Sequence, residues 1–119
     1  MLNLNSLMVG TMQPKVMAEC YEEVFQKKPD MTEDNWYGWQ VGDCFFGIGH
    51  HSNMEGKTKD PGRMMFNLET KDVKGEFERV SKINGIEVVK EPYEMDSMWI
   101  ATFADPDGNF FQLMSPWEE

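Results

Sequence analysis

The side chains that could do chemistry in this chain are few. Gln112 stands in the apolar run FFQLM (110–114), and Arg63 opens the run RMMFNLET (63–70), which also carries Asn67 and Glu69. His50 and His51 are the only histidines. Adjacent residues on an extended strand face opposite ways, so this pair does not chelate one ion together. Their expected place is a strand's end or a linker, where one imidazole such as His50 could contact a ligand or act as a general base. Cys20 and Cys44 are the only cysteines and lack metal-type spacing. The expectation is two reduced, partly buried thiols in a cytoplasmic protein. The sequence has no G-x-S-x-G elbow, no phosphate-binding glycine loop and no H-E-x-x-H helix.

Acidic residues are plentiful, but those in DPDGN (105–109) have a structural reading. Pro106 presets φ at a corner, Gly108 tolerates positive φ, and Asp105, Asp107 and Asn109 can bond nearby amides. The net charge of −10 argues against nucleic acid, which needs clustered Lys and Arg. No apolar run reaches the roughly 20 residues of a membrane span. The start lacks a basic n-region and an unbroken apolar stretch, so no secretory signal is visible.

These residues must be positioned by strands and helices that the pattern makes legible. Asn5 to Gly10 reads as a strand. Val16, Met17, Cys20, Tyr21, Val24 and Phe25 recur at helical spacing between Pro14 and Pro29. Asp30 to Asn35 reads as a polar turn. WYGWQVG and CFFGIGHH read as a hairpin turned by Gly42-Asp43. After a Gly- and Pro-containing loop the order repeats, with a strand in RMMFNLET and a helix face from Val73, Phe77, Val80 and Ile83. Asn84-Gly85 stops that helix, and strands follow in IEVVKEPYEM, MWIATFAD and NFFQLMS. CFFGIG and NFFQLM match each other where a duplication requires it. The expected division is a first module at 1–53, a linker at 54–62 and a second module at 63–119.

With its aromatic strand ending at Phe103, the turn 105–109, the strand Phe110 to Met114, and AECYEEVF (18–25), the chain resembles the glyoxalase, bleomycin-resistance and extradiol-dioxygenase superfamily. The resemblance spans essentially the whole chain. It implies an α+β fold of two tandem βαβββ modules forming a curved, cup-shaped mixed sheet with helices packed outside. It also implies a divalent metal (Zn, Ni or Mn) held by donors from the first and last strand of each module, acting as a Lewis acid. Carried over residue by residue, the last-strand positions fall on Gln112 and Gly47. The first-strand positions fall on Arg63 and among Leu4, Asn5 and Ser6. Gln112 alone could ligate, and Arg63 would repel a cation. A divalent metal is therefore disfavoured.

Strand alternation from Gln112 places Phe110 and Met114 on the cavity face, with Phe111 and Leu113 toward the helices. From Arg63 the cavity face takes Met65, Asn67 and Glu69. Ile100 and Thr102 join them, and Gln40 is the expected first-module counterpart of Thr102. Four tryptophans (Trp36, Trp39, Trp99 and Trp117) add planar surface, with Trp36 and Trp39 the candidates for stacking on a ligand. The expected site set is thus Gln40, Arg63, Asn67, Glu69, Thr102, Gln112, Trp36, Trp39 and His50. The leading expectation is a cytoplasmic homodimer holding a small organic molecule, drug-like or cationic and aromatic, without metal. The alternative is a lyase or isomerase of the glyoxalase class using non-standard residues, and a third reading is a pure interaction protein.

Overall fold

The fold was analysed in a computed structural model that describes residues 1–50, 54 and 56–116. The chain divides into two compact units, Met1–Gly56 and Lys57–Glu119, each organised around its own sheet and helix.

In the first unit, β1 (Ser6–Thr11) leads to α1 (Pro14–Phe25), then β2 (Met31–Glu33), β3 (Trp36–Val41) and β4 (Cys44–His50). The sheet order is β1-β4-β3-β2, with β1 parallel to β4 and the other pairs antiparallel. Pro14 occupies the first turn of α1, where its missing N–H costs nothing. Gln26 closes the helix in the left-handed region, its N–H donating to the Glu22 carbonyl. The inward stripe of Met17, Ala18, Cys20, Tyr21 and Val24 is buried against one face of the sheet, whereas Val16 is about half exposed. There Tyr21 and Phe25 meet Phe46 at ring-centroid distances of 4.9 and 5.2 Å, and Phe25 meets Trp39 at 5.6 Å.

The segment read as a polar turn at 30–35 contains a strand instead. Met31–Glu33 is exposed throughout and has little strand propensity of its own. Its pairing is imposed by anchoring, since the Asp30 N–H donates to the Gly38 carbonyl at 2.7 Å and β3 supplies the template.

The second unit repeats the order with β5 (Phe66–Glu69), α2 (Val73–Ser81), β6 (Glu87–Met95), β7 (Met98–Ala104) and β8 (Phe110–Met114). Its sheet runs β5-β8-β7-β6, again with the first strand parallel to the last. The chain is thus an α+β fold of two tandem βαβββ modules, each with a four-stranded mixed sheet. Asp72 caps α2 by accepting from the Gly75 N–H at 3.0 Å. Phe77 of α2 stacks on Phe103 at 5.4 Å, and Phe103 and Phe66 both pack on Phe111. The edge strand β6 carries two register shifts and Pro92, features that discourage pairing with a further strand.

The corner before β8 is built by its acids. Oδ1 of Asp105 accepts from the N–H groups of Asp107 (2.9 Å) and Asn109 (3.0 Å), while Gly108 sits at φ +84°. Asp105 is buried and spends its carboxylate on the turn, which is the structural use expected of it.

Candidate functional site

The second module gathers polar side chains on the sheet face away from α2. Asn67 of β5 pairs with Gln112 of β8, which pairs with Thr102 of β7. Paired residues share a face, so the three form a row across adjacent strands. Gln112 Nε2 donates to Thr102 Oγ1 at 2.9 Å. That bond orients the carboxamide and leaves Oε1 as the acceptor it can present to a ligand. Glu69, two residues beyond Asn67 on β5, pairs with Met114 and adds an exposed carboxylate. Ile100, Thr102 and Met114 are buried, Phe110 and Gln112 half-buried.

Lys90 of β6 pairs with Thr102 and completes the row, with Nζ lying 5.4 Å from the Tyr93 ring centroid. Sequence reasoning missed Lys90 because β6 shifts register on both sides of it, which breaks simple alternation.

The equivalent row in the first module is Met8, Gly47 and Gly38, the residues paired across β1, β4 and β3. This corrects two sequence assignments. The first-strand residue opposite Gly47 is Met8, not one among Leu4, Asn5 and Ser6. The counterpart of Thr102 is Gly38, not Gln40, because Gln40 pairs with Phe45 beside the tight Gly42-Asp43 turn. Gln40 is spent on that hairpin. Its Nε2 donates to the Gly42 carbonyl at 2.9 Å, its N–H donates to Asp30, and its own carbonyl accepts from Lys27 Nζ.

Aromatic rings cover this first-module row. A Cβ at Gly38 would run into the Phe45 ring, and one at Gly49 would lie 2.8 Å from the Trp36 indole. The same indole passes 3.6 Å from a Cβ placed at Gly47. Trp36 and Phe45 therefore lie flat on a strip of glycines, and the face away from α1 is an aromatic platform flanked by the exposed Met8. The alternating glycines of CFFGIG were a legible signal for this, since a strand glycine often marks close approach of another group.

Trp39 is not part of that platform. It is fully buried on the α1 face, and Nε1 donates to the Lys27 carbonyl at 2.8 Å. It is a core residue, as strand alternation from Trp36 places it three positions on and on the other face. His50 alternates with Phe46 and Ile48, so it too lies on the face opposite Gly47. His51 and Trp117 fall outside the described residues.

Arg63 is displaced from its expected place as well. It lies in the turn before β5, and the β5 residue opposite Gln112 is Asn67. The backbone N–H of Arg63 donates to the Asp60 carbonyl at 3.0 Å, and its guanidinium stands 3.7 Å from the Asp60 carboxylate. With Pro61, Gly62 and Phe110, these residues border an open recess of about 500 Å³.

The row is a poor match for a transition metal. Two carboxamides and a hydroxyl are weak neutral donors, whereas Zn, Ni and Mn sites draw on imidazole, thiolate or carboxylate. Among the described residues no three His, Cys, Asp or Glu side chains come together to hold an ion. The arrangement can instead orient a ligand by hydrogen bonds to Gln112 and Asn67.

The paired modules, each with its first strand parallel to its last and a site row across the middle of the sheet, define a class of tandem βαβββ proteins. Residues 3–113 match the family described as "Glyoxalase/Bleomycin resistance protein/Dioxygenase superfamily", and the chain belongs to it. Solved structures agree on the fold. A glyoxalase-related enzyme from Fulvimarina pelagi superposes with a TM-score of 0.82 at 17% identity, covering 98% of this chain and 89% of that one. A glyoxalase/bleomycin resistance protein/dioxygenase family enzyme from Burkholderia phytofirmans PsJN gives 0.76 at 20% identity, covering 96% and 98%. TioX from Micromonospora sp. ML1 gives 0.71 at 12% identity, covering 95% and 98%. A search of curated protein sequences gave no significant match.

Proposed function

We propose that this protein binds a small organic molecule through the Asn67–Gln112–Thr102 row without a resident metal. The observation that carries the reading is the chemistry of the two equivalent rows. One is Asn67, Gln112 and Thr102, and the other is Met8, Gly47 and Gly38. The first orients a ligand by neutral hydrogen bonds. The second, within the first unit, carries no hydrogen-bonding side chain and is covered by Trp36 and Phe45, so the polar contacts of this reading come from the second unit alone. An acceptor at Gln112 Oε1 and the nearby Glu69 favour a ligand that also carries N–H or O–H donors. A homodimer in the cytoplasm is part of this reading, in keeping with the frequency of isologous pairs among soluble proteins.

A glyoxalase-like lyase or isomerase would need a proton-transfer group on the same face. His50 lies on the opposite face of β4, so in that reading the Glu69 carboxylate is the candidate proton-transfer group.

Native mass spectrometry of protein isolated from cells, with elemental analysis alongside, tests the proposal. It expects a retained organic compound, dimer mass, and no stoichiometric metal. Stoichiometric zinc, nickel or manganese that is lost on Gln112→Ala would overturn it.

A further inference from the structure

We propose that the recess between the 60–63 turn and Phe110 is a subsite for the carboxylate of an aromatic acid, with Arg63 as its cation and Phe110 as its apolar wall. The inference rests on the reading that the face carrying Gln112 holds an organic ligand, and it names one chemical class for that ligand. Arg63 and Asp60 side chains are 77% and 72% exposed, and their closest approach of 3.7 Å is longer than a hydrogen bond. Such a pair holds its guanidinium weakly, so the fork is free to take a carboxylate in its preferred two-point geometry.

The turn does not depend on that pair for its shape. The Arg63 N–H to Asp60 carbonyl bond closes the backbone, and Pro61 restricts it further. Gly62 lies beside the half-buried ring of Phe110, where an added Cβ would stand 4.0 Å from Cδ2. The recess is shallow and open to solvent, with room for a fused aromatic ring to lie against Phe110. Phe110 and Gln112 share a face of β8, roughly 7 Å apart along the strand. A ring against Phe110 with its carboxylate on Arg63 can therefore extend toward the Gln112 acceptor. The chain's net charge of −10 disfavours anions at most of its surface, so binding here requires a local cation. Among the described residues Asp60 is the carboxylate lining the recess, and it opposes an incoming anion.

An NMR titration of the full chain with 2-naphthoate and its neutral amide, 2-naphthamide, tests this. Naphthoate is expected to move the Arg63 Nε–Hε and Gln112 side-chain signals and to bind several-fold more tightly than naphthamide. Arg63→Gln should weaken naphthoate roughly three- to tenfold and leave naphthamide unchanged. Asp60→Asn should strengthen naphthoate roughly two- to threefold. Both positions are exposed, so backbone amide spectra of the variants should match the parent. Equal binding of the two compounds, or an Arg63→Gln variant that binds naphthoate as the parent does, overturns the subsite. Signals that stay still with both compounds overturn it too. A neutral compound retained in native mass spectrometry would in those cases leave the broader ligand-binding reading standing.

Discussion

Nε2 of Gln112 donates to Oγ1 of Thr102 at 2.9 Å, between residues directly paired across β7 and β8. The bond decides which end of the carboxamide a ligand meets. Thr102→Val keeps the branched shape and removes the acceptor. It should cost about 1 kcal/mol of stability, read by urea denaturation, and weaken ligands that donate to Gln112 several-fold. Unchanged affinity would show that Gln112 needs no such fixing.

Gly49 lies under the Trp36 indole. Gly49→Ala places a Cβ where indole atoms now stand 2.8–3.0 Å away, so the ring must lift. The ring is half-buried and can move, so the expected cost is only about 1 kcal/mol. The Trp36 indole N–H resonance should shift while those of the other tryptophans stay in place. A variant spectrum identical to the parent would contradict the platform.

Trp36 and Trp39 are three residues apart and should respond oppositely. Trp39→Phe loses the hydrogen bond to the Lys27 carbonyl and part of a fully buried side chain. A loss of about 2–3 kcal/mol is expected, without a direct effect on ligand affinity. Trp36→Ala should instead change stability by less and reduce the binding of planar ligands. Thermal melts and ligand titrations of both variants check the contrast.

The Asp30 carboxyl group is held below its ordinary value, first by the Gln40 N–H and then by Lys27, whose Nζ is 2.8 Å away. A depressed folded value means that the folded state binds the proton less readily than the unfolded chain. The stabilisation is therefore present above the ordinary carboxylate range and is lost as pH falls through the lower folded value. Carboxyl NMR titration should show Asp30 below the ordinary aspartate value. Lys27→Met should raise it while leaving it under the ordinary value, because the backbone bond remains.

Much of the fold was legible in the sequence because its devices are local. Pro14 starting a helix, Gly42-Asp43 turning a hairpin and Asp105–Asn109 shaping a corner each depend on neighbouring residues. Strand β2 was not legible, because three exposed residues pair only when β3 and Asp30 hold them. The placement of the candidate residues on the strands was legible in part. Asn67, Glu69, Thr102 and Gln112 follow from alternation within regular strands, and the structure puts them on one face. Arg63 was carried over from the family pattern, Gln40 from the match between modules, and Trp39 and His50 from residue type near a strand end, and none of these fixes which face a side chain takes.

Sequence by itself determined the duplicated βαβββ order, the family and the neutral character of Gln112, since these are carried by pattern and residue type. Only tertiary structure decided that Asn67 faces Gln112, that Met8 and Gly38 flank Gly47, and that Trp36 lies over glycine while Trp39 fills the core. The physical reason is register. A pairing that slips along a ladder, by one residue or several, changes every facing partner, and turn length and the packing of each sheet's buried face are what fix it.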